Sequence, residues 1–189
     1  MKIIYLHGFA SVGVGPKSDA LRKKFGNDAV YSPDLPIDPD AVEMLIDTYV
    51  AKNTQYPLIF VGTSLGGFWA NYFAQKWDSP CVIVNPSTSP SKTMWERVGK
   101  IIKNYSTGEL MPILEDYATK FGIRESYLIG NTNGALINVF VAKDDDVIPY
   151  KEVLENIPYR ASCTITEDGG HRYDTNWGKV VDKVRQVAA

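Results

Sequence analysis

The stretch that most constrains the fold is residues 58–69, which read LIFVGTSLGGFW and change character within a few positions. A short apolar run, of the kind found in buried strands, is followed at once by apolar residues at helical spacing. The junction GTSLG matches the pattern G-x-S-x-G and predicts a sharp turn from strand to helix, with Ser64 exposed at its apex. We interpret this turn as a nucleophile elbow. The competing interpretation is an ordinary turn between a strand and a helix of an α/β sheet.

Short apolar runs and helical patterns alternate along the chain, which is typical of a parallel sheet with helices on both faces. Six strands are predicted, at residues 2–6, 29–31, 58–61, 81–84, 135–142 and 161–166. Helices are predicted at residues 16–25, 41–52, 65–77, 93–103, 110–121 and 177–187. Right-handed crossovers between the strands give the order 2-1-3-4-5-6. We therefore predict a doubly wound, mostly parallel α/β fold.

A chain of 189 residues is expected to form one domain, here residues 1–189. Residues 87–134 show two or three helical patterns and no strong strand, so we predict a helical insertion that forms a small lid. In open α/β sheets, ligands bind beyond the carboxyl ends of the strands, near the point where the strand order reverses. The site is therefore expected where the first and third strands end.

The composition is that of a globular protein and favours a small-molecule substrate. Its apolar fraction is 44%, and 20 basic against 22 acidic side chains leave a net charge of −2. No basic run indicates a nucleic-acid partner. No apolar stretch approaches the roughly 20 residues of a membrane span, and the run at residues 3–6 is too short for a signal peptide. We predict a cytoplasmic protein with no membrane span and no cofactor, and we make no prediction of its oligomeric state.

A serine nucleophile needs a base, and the chain contains only two histidines. His7 directly follows the first strand, whereas His171 follows the last strand in a Gly-Gly-His turn, and we predict that His171 is the base. In this architecture the orienting carboxylate lies between the nucleophile and the base along the chain. The fifth strand ends at three successive aspartates. Asp145 is favoured over Asp144, and Asp146 comes third.

Hydroxyl attack on a carbonyl also needs N–H donors for the oxyanion. One predicted donor is the backbone N–H of Leu65, at the start of the helix after the elbow. The second is the N–H of Phe9, in the HGF sequence that follows the first strand. His7 is then expected to hold this loop in place. Phe9 and Trp95 are the predicted substrate contacts, whereas Trp69 is assigned to the core.

Four motifs together resemble those of the α/β-hydrolase superfamily: HGF after the first strand, GTSLGG at the elbow, DDVIP after the fifth strand and GGHRY after the sixth. The chain is similar in particular to the small bacterial YqiA/YcfP-like esterases. The resemblance implies a hydrolase of carboxylic esters or thioesters that works through an acyl-enzyme. Its triad would be Ser64, Asp145 and His171, with a backbone oxyanion hole.

Two alternatives belong to other functional classes. Residues 8–18 form a Gly-rich loop between a strand and a helix, which is also the setting of a phosphate- or nucleotide-binding loop. The spacing differs from that motif, because Pro16 separates Gly15 from Lys17. The other alternative is a hydrolase fold kept as a non-catalytic binding module. A metal hydrolase is disfavoured, since two histidines without H-E-x-x-H spacing cannot supply a three-histidine site.

Overall fold

The computed structural model describes residues 1–188 and contains eight strands and seven helices in that range. The strands are β1 Lys2–Leu6, β2 Val30–Tyr31, β3 Leu58–Thr63, β4 Cys81–Val84, β5 Ile101–Lys103, β6 Leu110–Pro112, β7 Ile137–Ala142 and β8 Ser162–Thr166. The helices are α1 Pro16–Phe25, α2 Pro39–Ala51, α3 Leu65–Lys76, α4 Pro90–Trp95, α5 Glu115–Asn131, α6 Tyr150–Asn156 and α7 Trp177–Val187.

Six of the strands form one parallel sheet in the order β2-β1-β3-β4-β7-β8. This is the predicted order 2-1-3-4-5-6, because the short strands β5 and β6 lie outside the sheet, and the predicted fold class is confirmed. Side chains alternate between the two faces of each strand. In β1, Ile4 and Leu6 belong to the core beneath α2, α3 and α5, whereas Ile3 and Tyr5 belong to the core beneath α1 and α7.

The insertion predicted to be helical, at residues 87–134, contains α4 and α5 but also two short strands in its central part. Helix α4 ends at Trp95, so the helix predicted at 93–103 is not formed beyond its first residues. Strands β5 and β6 pair antiparallel and make a hairpin, with Ile102 opposite Met111. The helix predicted at 110–121 instead begins at Glu115, and it continues to Asn131.

Local turn chemistry explains this hairpin. Gly99 and Gly108 have φ angles of +77° and +78°. Such angles interrupt a helix, and residues other than glycine adopt them only at a cost in free energy. The Asn104 side chain accepts hydrogen bonds from the N–H groups of Ser106 (2.8 Å) and Thr107 (3.0 Å), an arrangement typical of a tight turn. These local bonds outweigh the helical spacing of the apolar residues on either side.

The remaining differences from prediction are small. Helix α6 was not predicted, since it is short and buries only Val153. The fifth and sixth predicted strands begin one or two residues later, at Ile137 and Ser162. No helix in the part of the chain that the structure describes is both long and apolar enough to cross a membrane.

Candidate active site

The turn between β3 and α3 holds Ser64 in a conformation that is rare for a residue with a side chain. Its φ and ψ angles are 54° and −124°, a strained region that costs on the order of 1–3 kcal/mol. A Cβ on Gly62 would lie 2.0 Å from the Gly66 carbonyl oxygen, and a Cβ on Gly66 would lie 2.0 Å from that of Leu6. Both positions therefore require glycine, and the close packing they allow maintains the strained turn.

A chain of hydrogen bonds links three of the predicted site residues. The His171 Nε2 atom lies 3.0 Å from Ser64 Oγ, and His171 Nδ1 lies 2.9 Å from Asp145 Oδ2. Asp145 has a fully buried side chain, whereas 22% of the His171 side chain is exposed. The structure thus brings together residues that follow β3, β7 and β8, and the carboxylate in contact with the histidine is Asp145 rather than Asp144 or Asp146.

The surroundings of Asp145 favour its ionised form. Burial by itself raises the pKa of this carboxyl group, but a hydrogen bond from His171 and the N–H groups of Ile148 (2.9 Å) and Val147 (2.8 Å) outweigh it, so that the pKa lies below its ordinary value. Because a carboxylate can only accept hydrogen bonds, His171 Nδ1 carries a hydrogen atom. The neutral ring then leaves Nε2 free to accept the hydrogen of Ser64.

His7 ties the loop after β1 to a neighbouring segment. Its Nδ1 donates to the Gly8 carbonyl oxygen at 2.8 Å, and its Nε2 accepts the backbone N–H of Leu35 at 2.8 Å. Burial lowers the pKa of His7, and this pair of bonds fits the neutral ring. His7 therefore supports the loop that carries Phe9, as predicted, and both of its ring nitrogens are engaged in that support.

The backbone N–H groups of Phe9 and Leu65 are the two predicted oxyanion donors. Within residues 1–188, neither Phe9 nor Leu65 donates its N–H to a carbonyl in the turn and loop hydrogen bonds. The loop of Phe9 passes close to the serine, since a Cβ on Gly8 would lie 3.4 Å from Ser64 Cβ. The Arg97 guanidinium packs over the Phe9 ring, 5.6 Å from its centroid. The two predicted donors thus lie beside the candidate nucleophile.

A small cavity of about 30 Å³ borders both of these donor residues. Its apolar wall includes side chains from five segments of the fold: Phe9, Leu35, Ile37, Leu65, Trp69, Met111 and Phe121. Trp69 is almost fully buried, as expected of a core residue. Trp95 does not line this cavity, and half of its surface is exposed, so its predicted contact with substrate gains no support.

A larger groove of about 430 Å³ lies between α3, α5 and α6. Its walls include Phe68, Leu128 and Val153. The three side chains of the hydrogen-bonded chain line neither this groove nor the small cavity, but only the small cavity borders Phe9 and Leu65. In the described part of the chain, no group of three or more histidine, cysteine, aspartate or glutamate side chains is arranged to hold a metal ion.

The Gly-rich loop 8–18 does not offer its Gly13 and Gly15 N–H groups to a phosphate. The Gly13 N–H donates to Asp34 Oδ1 at 2.7 Å, and the Gly15 N–H donates to Ser18 Oγ at 3.0 Å. Asp34 therefore places a carboxylate against this loop, where a phosphate-binding loop would receive its anion. This arrangement argues against the nucleotide-binding alternative.

Sequence reasoning missed Asn85, and it considered Asp144 only as a second candidate for the carboxylate that contacts His171. Asn85 is 1% exposed, and its Nδ2 donates to the carbonyl oxygens of Gly170 (3.0 Å) and His171 (3.1 Å). Asp144 accepts the N–H of Gly170 at 2.8 Å. The available signal was weak: Asn85 directly follows a buried strand and precedes a proline, a position that faces the carboxyl edge of the sheet.

Solved structures with a similar fold are α/β hydrolases. Est1E from Butyrivibrio proteoclasticus superposes with a TM-score of 0.70 at 14% identity, over 97% of this chain and 85% of that one. Alpha/beta hydrolase domain-containing protein 10 from mouse gives 0.72 at 13% identity, over 98% and 88%. A thermophilic esterase from Thermogutta terrifontis gives 0.66 at 15% identity, over 100% and 91%. At these identities the likeness establishes the α/β-hydrolase fold.

Sequence relatives are more specific about the family. A UPF0227 protein of Pectobacterium carotovorum and one of Pectobacterium atrosepticum are each 31% identical over 103 residues. Each match spans 52% of this chain and 57% of the relative, somewhat more than half its length. A family model matches residues 2–188, and the chain accordingly belongs to the family described as "Uncharacterised protein family (UPF0227)".

Proposed function

We propose that this protein is a serine hydrolase that cleaves a carboxylic ester or thioester through an acyl-enzyme. The observation that carries the proposal is the continuous hydrogen-bonded chain from Asp145 through His171 to Ser64, at a strained turn between strand and helix. A serine hydroxyl bonded to an imidazole, which is bonded in turn to a buried carboxylate, is the arrangement that activates a serine nucleophile. Structural neighbours described as esterases support the same chemistry for this fold.

In the proposed reaction, His171 Nε2 takes the proton of Ser64 as Oγ forms a bond to the carbonyl carbon of the ester. The resulting oxyanion accepts hydrogen bonds from the N–H groups of Phe9 and Leu65. His171 then gives its proton to the departing alcohol or thiol as the bond to the carbonyl carbon breaks. Water repeats the same steps on the acyl-enzyme and releases the acid. Asp145 stabilises the imidazolium that forms in both halves of the reaction.

The apolar wall of the cavity beside the two donors suggests an apolar acyl group. Met111 lies on β6 and lines this cavity, whereas Leu110, which precedes it on the same strand, and Ile101 on β5 are exposed. We therefore propose esters of apolar acids as the substrates and the hairpin as the element that limits the length of the acyl chain.

Shortening Met111 is expected to admit longer acyl chains. In Met111→Ala, turnover of a butyrate aryl ester relative to the acetate ester should rise on the order of tenfold, because burial of two further methylene groups contributes about 1.6 kcal/mol. The ratio of kcat/KM for the two esters measures this. Met44→Ala is the matched control, since Met44 lies on α2 with 69% of its surface exposed. An unchanged ratio in Met111→Ala would contradict the assignment of the cavity.

Labelling with a fluorophosphonate probe tests the reaction class. We expect one adduct, mapped to Ser64, and a large loss of labelling in His171→Ala. The labelling rate should rise with pH, because only the neutral ring of His171 can accept the serine proton. Asp145 does not produce that rise, since its lowered pKa keeps it ionised at pH values where ordinary aspartates already bind protons. An adduct on another residue, or a rate independent of pH from acid to neutral conditions, would contradict the proposal.

A further inference from the structure

We propose that Asn85 and Asp144 are positioning residues that hold the backbone of Gly169, Gly170 and His171 from two sides and so place the His171 ring on Ser64. The inference rests on the proposed function, since it assigns these two side chains a role in the same reaction. Within residues 1–188, neither side chain makes a hydrogen bond to Ser64 or to the ring of His171. Both act through the main chain of the turn that carries the histidine.

The turn needs such support because it is built from two glycines. Gly169 and Gly170 have φ angles of 137° and 55°, in regions that glycine enters readily and other residues rarely. Two adjacent glycines also give a chain its greatest freedom to adopt other conformations. The position of His171 is therefore not determined by the local sequence, and bonds from elsewhere in the fold must hold it.

Asn85 supplies bonds from the strand next to the nucleophile. It follows β4, which pairs with β3, the strand that leads to Ser64. Its Nδ2 donates both hydrogens, to the carbonyl oxygens of Gly170 and His171, and its Oδ1 accepts the N–H of Ala142 at 3.0 Å. The amide thereby uses both of its donors and its acceptor. One buried side chain thus connects the end of β4, the end of β7 and the turn of the base.

The backbone of Asn85 is suited to this task. Its φ angle is 42°, in the left-handed region where asparagine and aspartate are the best tolerated residues after glycine. Its own N–H donates to the Phe140 carbonyl oxygen at 2.9 Å. The main chain therefore turns at Asn85 and aims the amide across the carboxyl edge of the sheet.

Asp144 binds the N–H groups of the same turn. Its Oδ1 accepts the Gly170 N–H at 2.8 Å, and its Oδ2 accepts the Gly169 N–H at 3.3 Å. The two neighbouring aspartates thus have different parts: Asp145 contacts the imidazole, and Asp144 contacts the main chain that carries it. Asp146, the third of the run, is exposed.

Loss of these bonds should lower kcat more than it raises KM. Displacement of a reacting group by about 1 Å costs on the order of 100-fold in rate. Neither residue lines the cavity beside Phe9 and Leu65, so substrate binding should be little affected. A role confined to general stability would instead lower the unfolding temperature and leave the kcat of the folded protein unchanged.

The experiment compares kcat, KM and fluorophosphonate labelling rate in variants that are folded at the assay temperature. Asn85→Asp keeps the acceptor and the tolerance for positive φ but removes both donors. Its control is Asn138→Asp, because the Asn138 amide makes a single bond between β7 and β4, to the Cys81 carbonyl oxygen at 3.2 Å. Asp144→Ala removes two accepted bonds at an exposed position, where folding is not at risk, and its control is Asp146→Ala.

We expect kcat and the labelling rate to fall about 10- to 100-fold in Asn85→Asp and about three- to tenfold in Asp144→Ala, with KM within about twofold of the wild type. Both controls should remain within about twofold in kcat. If Asn85→Asp does not fold, the kcat and labelling rate of Asp144→Ala test the inference. Retained kcat in the folded variants of an active wild type would overturn this inference alone. A wild type that neither hydrolyses aryl esters nor labels at Ser64 would instead overturn the proposed function.

Discussion

Replacement of Ser64 by alanine is expected to reduce ester hydrolysis to the background rate while the protein stays folded. Removal of the nucleophile from a serine hydrolase of this kind costs on the order of 10⁶-fold in kcat. The Ser64→Ala variant keeps a Cβ at the strained turn and loses one hydrogen bond, to His171. The free energy of unfolding should therefore change by only about 1 kcal/mol.

Turnover of phenyl acetate and denaturant unfolding, measured on the same preparation, check both parts of this expectation. Ser126→Ala is a suitable control, because the Ser126 hydroxyl is exposed on α5 and bonds only to the Gly122 carbonyl oxygen of its own helix. It should retain wild-type turnover. Turnover in Ser64→Ala above about one per cent of the wild-type value would rule out Ser64 as the nucleophile.

Replacement of Gly66 by alanine should have the largest effect on folding. The new methyl carbon would lie 2.0 Å from the Leu6 carbonyl oxygen and 2.5 Å from that of His7, distances that only a shift of the main chain can relieve. Such a shift would separate α3 from the end of β1, which pairs with β3. We expect a loss of at least about 4 kcal/mol in the free energy of unfolding, or no folded protein.

Gly122→Ala provides the contrast, because Gly122 lies inside helix α5 and a Cβ there would be 3.9 Å from the nearest side-chain atom, in Ser91. In a helix interior alanine is favoured over glycine by up to about 1 kcal/mol, so this variant should be at least as stable as the wild type. Urea unfolding curves of the two variants give the comparison. If the free energy of unfolding fell by less than about 1 kcal/mol in Gly66→Ala, the elbow would not require the close packing that glycine allows at this position.

The elements of the main sheet were predictable because their signals are local. Each strand is a short apolar run bounded by turn residues, and the helices after β1, β2 and β3 repeat apolar residues at helical spacing. The β5–β6 hairpin was missed because the local signals for it are weaker than those for the main strands. Its apolar residues are compatible with a helix, and only the turn at Asn104 and the glycines on either side exclude one.

The site follows a similar division. Residue types and chain order indicated Ser64, His171 and a run of aspartates, because parallel strands place their carboxyl ends along one edge of the sheet. Which of the three aspartates contacts the histidine depended on the tertiary structure, which buries the Asp145 carboxylate beside His171. Trp95 was selected as an aromatic residue of the predicted lid, but it is the last residue of α4 and is half exposed.

The sequence by itself thus determined the order of strands and helices and the turn at Ser64, since each depends on neighbours along the chain. It also indicated His171 as the base, because the chain contains only two histidines and His171 is the one that follows the last strand. Only the tertiary structure decided which aspartate meets His171, and only it revealed that Asn85 and Asp144 contact the turn of that histidine. The physical reason is that a hydrogen bond requires its two atoms to lie about 3 Å apart. Asp145 lies 26 positions from His171 along the chain, and Asn85 lies 86 positions from it. Such distant residues meet that requirement only after the sheet has assembled.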